Sequence, residues 1–169
     1  MSTTTPSRNP IPESLSQRVL FVDFDGVLHP TTHAVALTAQ AVDAVHFGWV
    51  PLLDQVLSGH ADVVIVVHST WRHEYNLDEL REVLGVLGHR VVGATQSNLS
   101  RYESIVFWLE QSPSHNDYRI LDDDPSEFPD PPPPELILCN PSTGASAPSV
   151  QRAIADWLRA PAKRKGERR

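Results

Sequence analysis

The fold of this chain is decided by one stretch, Arg18-Val-Leu-Phe-Val-Asp23-Phe-Asp25-Gly26-Val-Leu28, in which an apolar run ends in two acids and a glycine. A continuous apolar run is typical of a strand that is covered on both faces, as in a parallel sheet. Because residues two apart in an extended chain point the same way, we expect Asp23 and Asp25 to converge. Gly26 lets the chain leave the strand in a conformation that other residues resist.

Four further apolar runs follow, and helical patterns separate them. The runs are Ala61–Val67, Arg90–Val92, Tyr118–Leu121 and Glu135–Cys139. The helical patterns are Pro51–Leu57, one capped by Asn76 and ended by Gly88, one over Tyr102–Gln111 opened by Ser100, and one capped by Ser149. The alternation predicts an α/β fold with a doubly wound, Rossmann-like, mainly parallel five-stranded sheet and helices on both faces. Ligands of such sheets bind beyond the carboxyl ends of the strands.

Length and composition indicate one domain. The 169 residues, 40% of them apolar, predict a flexible tail over 1–17, an α/β domain over 18–160 and a basic tail over 161–169. A single cysteine, Cys139, excludes a disulfide scaffold and a cysteine-cluster zinc site. No apolar run reaches the roughly 18–20 residues of a membrane span, and the N-terminus lacks the pattern of a secretion signal. We therefore expect a cytoplasmic protein without membrane contact.

The net charge of −7 is unevenly distributed. Five of the 14 basic residues lie in the last seven positions, so residues 1–160 carry 9 basic and 20 acidic side chains. A body this acidic repels a nucleic-acid backbone in general. Nucleic acid is therefore not indicated as a partner, although the basic tail could touch an anionic one.

A second group of acids, Asp122-Asp123-Asp124, follows the fourth apolar run. Together with Asp23 and Asp25 it places five carboxylates at the ends of two predicted strands. Carboxylates packed together repel, so such a site needs protons or a cation. Oxygen ligands alone suit a hard cation, Mg²⁺ before Ca²⁺. The alternative is that these Asp residues cap helices and occupy loops.

Candidate phosphate ligands follow the second and third runs. Ser69 and Thr70 stand at a strand-to-helix turn, where hydroxyl and backbone N–H groups can hold phosphate oxygens, and Arg72 is a plausible further contact. Arg101 lies in the first turn of a predicted helix, where the helix dipole disfavours a cation. This placement suggests a role in pairing with carboxylates or phosphate, and the alternative is an exposed arginine.

These motifs, in this order, resemble those of the haloacid dehalogenase-like (HAD) superfamily over roughly residues 18–158. In this resemblance Asp23 is the nucleophile of the first motif and Asp25 is its general acid/base. Ser69 matches the second motif and Arg101 the third. The acidic pair Asp122 and Asp123 matches the fourth, which completes a Mg²⁺ site.

The resemblance implies a Mg²⁺-dependent phosphomonoester hydrolase that acts through an aspartyl-phosphate. Mg²⁺ would be bound by Asp23, the backbone carbonyl of Asp25, and Asp123, with Asp122 beside it. The segment from His29 to Trp49 is too short for a large cap domain, which implies a minimal cap and a site open to bulky or macromolecular phosphates. Small HAD-like domains share the Ser-Thr-Trp-Arg and Leu-Asp-Asp-Asp stretches, and some relatives are linked to nucleic-acid repair.

Several alternatives stay open. No lysine precedes Lys163, so the third motif must be an arginine, and Arg90 and Arg119 compete with Arg101. A haloacid dehalogenase shares the Asp nucleophile but needs neither Mg²⁺ nor Asp25, and the acidic pair Asp122 and Asp123 argues against it. A receiver domain needs a lysine within the domain and an Asp directly after the third run, and both are missing here. The third alternative is a catalytically idle domain that binds phosphate or nucleic acid, although the intact Asp23 and Asp25 count against it.

Overall fold

The structure, a computed structural model, describes residues 17–31 and 47–163. Most of the predicted N-terminal tail, most of the segment interpreted as a minimal cap, and the end of the basic tail lie outside these residues. The described part contains a five-stranded sheet in the order β3-β2-β1-β4-β5, and every pair of neighbours is parallel. Its strands are β1 (Arg18–Val22), β2 (Val63–Val67), β3 (Val91–Ala94), β4 (Tyr118–Asp122) and β5 (Leu136–Leu138).

The register of the sheet brings the ends of β1, β2 and β4 together. Val22, the last residue of β1, pairs with Val67 of β2 on one side and with Leu121 of β4 on the other. The chain order of the strands reverses at β1, and this reversal opens a crevice beyond the carboxyl ends. The residues that follow these three strands therefore share one edge of the sheet.

Side chains alternate between two cores on the opposite faces of the sheet. Leu20 and Val22 lie in the larger core, whereas Val19 and Phe21 lie in the smaller one. All four are almost completely buried, which explains why β1 is apolar without alternation.

Within the described residues, four α-helices cover the two faces. They are α1 (Val50–Leu57), α2 (Leu77–Val83), α3 (Arg101–Gln111) and α4 (Pro148–Arg159). Helices α1, α2 and α4 contribute Leu53, Leu80 and Ile154 to the larger core, and α3 contributes Ile105 to the smaller one. The predicted α/β fold with helices on both faces is confirmed. Among the described helices, none has the length and apolar character that crossing a membrane requires.

Two predicted helix boundaries were wrong. Helix α2 ends at Val83, and Gly85, with φ of +51°, leads into a short 3₁₀ helix, Gly85–Arg90. Gly88 serves packing, because a Cβ there would overlap the carbonyl oxygen of Arg81. Helix α4 begins at Pro148, a position where proline's missing N–H costs nothing, so Ser149 is not its cap.

Candidate active site

The turn after β1 places Asp23 at the bottom of the crevice. Asp23 is 1% exposed, and its Oδ1 accepts a hydrogen bond of 2.8 Å from the backbone N–H of Phe24. Two residues later, Gly26 has φ of +74°, a conformation that disfavours other residues. A Cβ on Gly26 would also overlap Asp123 Oδ2 and lie 2.6 Å from Thr31 Oγ1. Glycine is therefore required here for both backbone conformation and space.

Three carboxylates converge at the ends of β1 and β4. Asp23, Asp122 and Asp123 each offer an oxygen atom, and these atoms lie within 4.8 Å of one another. Asp124 instead caps a short 3₁₀ helix by accepting from the backbone N–H of Ser126 at 3.0 Å. Among the described residues, the Asp25 side chain does not belong to the converging group. Three of the five acids expected in one crevice therefore meet there.

Arg101 links two of these carboxylates. Its Nη1 donates to Asp23 Oδ2 at 3.0 Å and to Asp122 Oδ1 at 2.9 Å. Ser100 and Glu103 form a capping box that starts α3 at Arg101 and so directs this residue toward the site. Burial lowers the pKa of Arg101, but the charges of Asp23 and Asp122 outweigh burial and raise it. Arg101 therefore stays charged.

The two competing arginines lie at the opposite, amino end of the sheet. Arg90 donates through its two Nη atoms to backbone carbonyls between α1 and β2, among them that of His60 at 2.7 Å. The Arg119 guanidinium lies 5.4 Å from the centre of the Trp157 ring, which packs beside the start of β1. Of the three candidates, Arg101 is the arginine that contacts Asp23.

The charge of the converging group is not balanced by its one arginine. Burial, followed by the charge of Asp122, raises the pKa of Asp23 to about 8, and the same two causes raise the pKa of Asp123. Asp23 would then hold a proton at neutral pH, and a carboxylic acid is a poor nucleophile. A divalent cation would lower this pKa by offsetting the repulsion. A donor set of carboxylate oxygens fits Mg²⁺.

His68 contacts one member of the converging group, Asp122, a role that was not predicted from the sequence. It is fully buried after β2, and its Nε2 lies 2.8 Å from Asp122 Oδ2. Burial lowers the pKa of His68, although Asp122 acts in the other direction. The neutral ring donates its Nε2–H to Asp122, which holds that carboxylate in place. The available signal in the sequence was the place of His68 directly after the second apolar run.

The predicted phosphate ligands of the β2 turn lie beside the group. Ser69 is buried, and its Oγ accepts from the backbone N–H of Trp71 at 3.3 Å, which opens a 3₁₀ helix over Thr70–His73. Thr70 is exposed on this helix. Arg72 Nη1 donates to the carbonyls of His68 and Ser69 at 2.7 and 2.9 Å. Burial and the charge of Arg101 lower the pKa of Arg72, so the two guanidinium groups are neighbours.

Asp25 has contacts of its own. Its side chain is 42% exposed, and its Oδ2 accepts from the indole Nε1 of Trp71 at 3.1 Å. The Nε2 of His29 lies 3.3 Å from the other oxygen, Oδ1. Neither His29 nor Trp71 was predicted from the sequence to contact Asp25. The only signal for Trp71 was its place in the turn that carries Ser69 and Thr70.

Comparison with known proteins agrees with this geometry. Residues 19–150 match the family described as the HAD domain in Swiss Army Knife RNA repair proteins. No curated protein and no solved structure matched the chain. HAD domains are in general hydrolases. The match covers more than half of the chain, and the chain belongs to this family of HAD domains.

Proposed function

We propose that the protein hydrolyses phosphate monoesters with Mg²⁺ and carries the phosphoryl group transiently on Asp23. The observation that carries this proposal is the meeting of buried Asp23 with Arg101 and with two further carboxylates. The half-exposed Asp25 stands two residues away, which separates the group proposed to transfer protons from the group proposed to bind metal.

In this proposal Mg²⁺ is held by Asp23, Asp122 and Asp123, with the backbone carbonyl of Asp25. The ion supplies charge that offsets the repulsion between an anionic carboxylate and an anionic phosphate. Arg101 and His68 keep Asp23 and Asp122 in place.

The chemical steps are assigned to Asp23 and Asp25. An oxygen of the Asp23 carboxylate attacks phosphorus, and the bond from phosphorus to the ester oxygen breaks. Asp25 gives its proton to that departing oxygen. A water molecule then attacks the phosphorus of the aspartyl-phosphate while Asp25 accepts a proton from it, which releases phosphate and restores Asp23.

Four residues are proposed to hold the transferring oxygens. Arg101 and Arg72 supply positive charge, and Nη2 of Arg72 has no hydrogen-bond partner among the residues that the structure describes. Thr70 offers an exposed hydroxyl, and the buried Ser69 offers its hydroxyl proton. Charge that develops on the oxygens in the transition state is stabilised by such donors.

The family description supports one substrate class, the terminal phosphate of a nucleic acid. The acidic body disfavours long contacts along a nucleic-acid backbone, so we propose that only the end of the strand enters the site. The cytoplasmic setting belongs to the same proposal, and a buried, free Cys139 is compatible with it.

The test is a hydrolysis assay on the full chain with p-nitrophenyl phosphate and with 3′- and 5′-phosphorylated oligonucleotides. We expect turnover in Mg²⁺, none in EDTA, and none for Asp23→Asn. Binding of the oligonucleotides without any turnover would favour the idle binding domain. Release of halide from a 2-haloacid in EDTA would favour a dehalogenase.

A further inference from the structure

We propose that Trp71 is the positioning residue that orients the Asp25 carboxylate for proton transfer to the leaving group. This inference rests on the proposed function and deepens it. Trp71 Nε1 donates to Asp25 Oδ2 at 3.1 Å and so fixes one carboxylate oxygen. His29 Nε2 lies 3.3 Å from the other oxygen, Oδ1, which in this proposal faces the departing ester oxygen. The indole of Trp71 acts on the reaction through Asp25.

Asp25 needs such a partner because its carboxylate is partly open to solvent. It lies beyond the last residue of β1, it precedes a glycine with positive φ, and its side chain is 42% exposed. The terminal torsion of an aspartate is broad, so an exposed carboxylate samples many orientations. A proton donor must instead lie within hydrogen-bond reach of the reacting atom, and misplacement slows the reaction.

The Trp71 ring is itself held on several sides. Phe24 and Phe47 meet it edge-on, with ring centres at 5.8 and 5.2 Å. Tyr75 stacks on it at 5.2 Å with 25° between the planes, and His29 lies 6.3 Å away. An indole packed in this way presents its N–H in one fixed direction, which is what orienting Asp25 requires.

Trp71 also connects the two halves of the site. Its backbone N–H bonds Ser69 Oγ, in the turn proposed to hold phosphate, while its indole N–H bonds Asp25. The distance between the phosphate-binding turn and the proton donor is thereby set by a single rigid residue.

An Asp25 carboxylate held in this way favours one class of substrate. Protonation matters most when the leaving group is a poor one, such as the alkoxide of an alcohol. A site in which a tryptophan orients Asp25 is suited to phosphate esters of alcohols, including those of sugar hydroxyl groups. The phenolate of an acidic phenol leaves without this help, so the hydrolysis of such phosphate esters should not depend on Trp71.

The experiment compares Trp71→Phe with the parent on glycerol 2-phosphate and on p-nitrophenyl phosphate at saturating Mg²⁺. General acid catalysis contributes about 10²–10⁴-fold, and loss of orientation should remove part of it. We expect kcat for glycerol 2-phosphate to fall by about 10–100-fold, with KM little changed, and kcat for p-nitrophenyl phosphate to change by less than about threefold.

Trp157→Phe is the matched control. It removes the same kind of bond, from an indole N–H to Asp117 Oδ1 at 2.8 Å, at the opposite end of the sheet. We expect this variant to melt at a lower temperature while the ratio of the two kcat values stays that of the parent.

A second pair of variants separates the N–H from the packing of the ring. Replacing Trp71 by 3-benzothienylalanine keeps the ring shape and removes the N–H, whereas 7-azatryptophan keeps the N–H. The first replacement should reproduce the selective loss of kcat for glycerol 2-phosphate. The second should keep the ratio of the two kcat values at that of the parent.

Equal losses on both substrates, or no loss on either, would overturn the inference and leave the proposed function standing. A parent protein inactive on both substrates and on the phosphorylated oligonucleotides would overturn the proposed function and this inference with it.

Discussion

The carboxyl and amino ends of the sheet contain the same pairs of residue types, but the pairs have different roles. Each has an arginine bound to an aspartate and a tryptophan N–H bound to another aspartate. At the carboxyl end these pairs are Arg101–Asp23 and Trp71–Asp25, and at the amino end they are Arg18–Asp62 and Trp157–Asp117.

The difference lies in the balance of charge. At the amino end, Arg18 has one carboxylate partner among the residues that the structure describes, Asp62 at 2.6 Å. Its Nη1 donates to backbone carbonyls at the end of α4, including that of Leu158 at 3.1 Å. Burial acts to raise the pKa of Asp62, but the hydrogen bond and charge of Arg18 outweigh it and lower the pKa. At the carboxyl end, Arg101 is shared by two acids and the pKa of Asp23 is raised.

A balanced pair stabilises the fold, whereas a crowded group of acids destabilises it until a ligand supplies charge. Sites that serve function are commonly built at the expense of stability in this way. We therefore expect variants of the carboxyl end to lose activity and keep their stability, and variants of the amino end to do the reverse.

The largest expected effect is that of Asp23→Asn. An amide is a poor nucleophile of nearly the same shape, so turnover should fall by about 10³-fold or more. The melting temperature should stay equal or rise, because folding at neutral pH requires Asp23 to take up a proton, a cost that the neutral amide does not carry. Initial rates and thermal melts on the same preparation test both statements. Turnover within tenfold of the parent would remove Asp23 from the mechanism.

Asp25→Asn should come next, and its effect should depend on the substrate. Loss of the proton donor should slow an alkyl phosphate by about 10²–10⁴-fold and p-nitrophenyl phosphate much less. The measurement is kcat for both substrates over a range of Mg²⁺ concentrations. Equal slowing of both, with rescue by added Mg²⁺, would show instead that the Asp25 side chain binds metal.

Asp123→Asn should have a moderate effect that added metal reverses. This change removes one charged ligand from the converging group, so the Mg²⁺ concentration for half-maximal rate should rise by about 10–100-fold. Rate against Mg²⁺ concentration gives the value directly, and Asp124→Asn is the control because Asp124 caps a helix outside the group. An unchanged Mg²⁺ requirement would place the metal elsewhere.

The smallest expected effect is that of Asp62→Asn at the amino end. Losing the charge that pairs with Arg18 should lower the free energy of unfolding by about 1 kcal/mol without changing turnover. Because the folded-state pKa of Asp62 lies below its ordinary value of 3.8, this contribution is complete above that pH and is lost as the pH falls through the folded value. Denaturant unfolding at pH 7 and below pH 4 should show the difference between parent and variant shrinking.

Local patterns in the sequence predict the strands and helices and the residues at their ends. Continuous apolar runs such as Arg18–Val22 identify buried strands, and capping boxes at Asn76 and Ser100 mark where α2 and α3 begin. These signals are local, because a few neighbouring residues determine strand burial and helix capping. Glycine was a weaker signal for the end of a helix. Gly88 was predicted to end α2, but α2 ends at Val83 and Gly85 lies just beyond it.

Which of those residues meet depends on tertiary packing. The choice of Arg101 over Arg90 and Arg119 depends on which end of the sheet each arginine occupies. The pairing of His68 with Asp122 and of Trp71 with Asp25 joins residues 54 and 46 positions apart. Such contacts follow from strand order and register, which are set by how two cores pack on one sheet and leave no pattern in any short stretch of sequence.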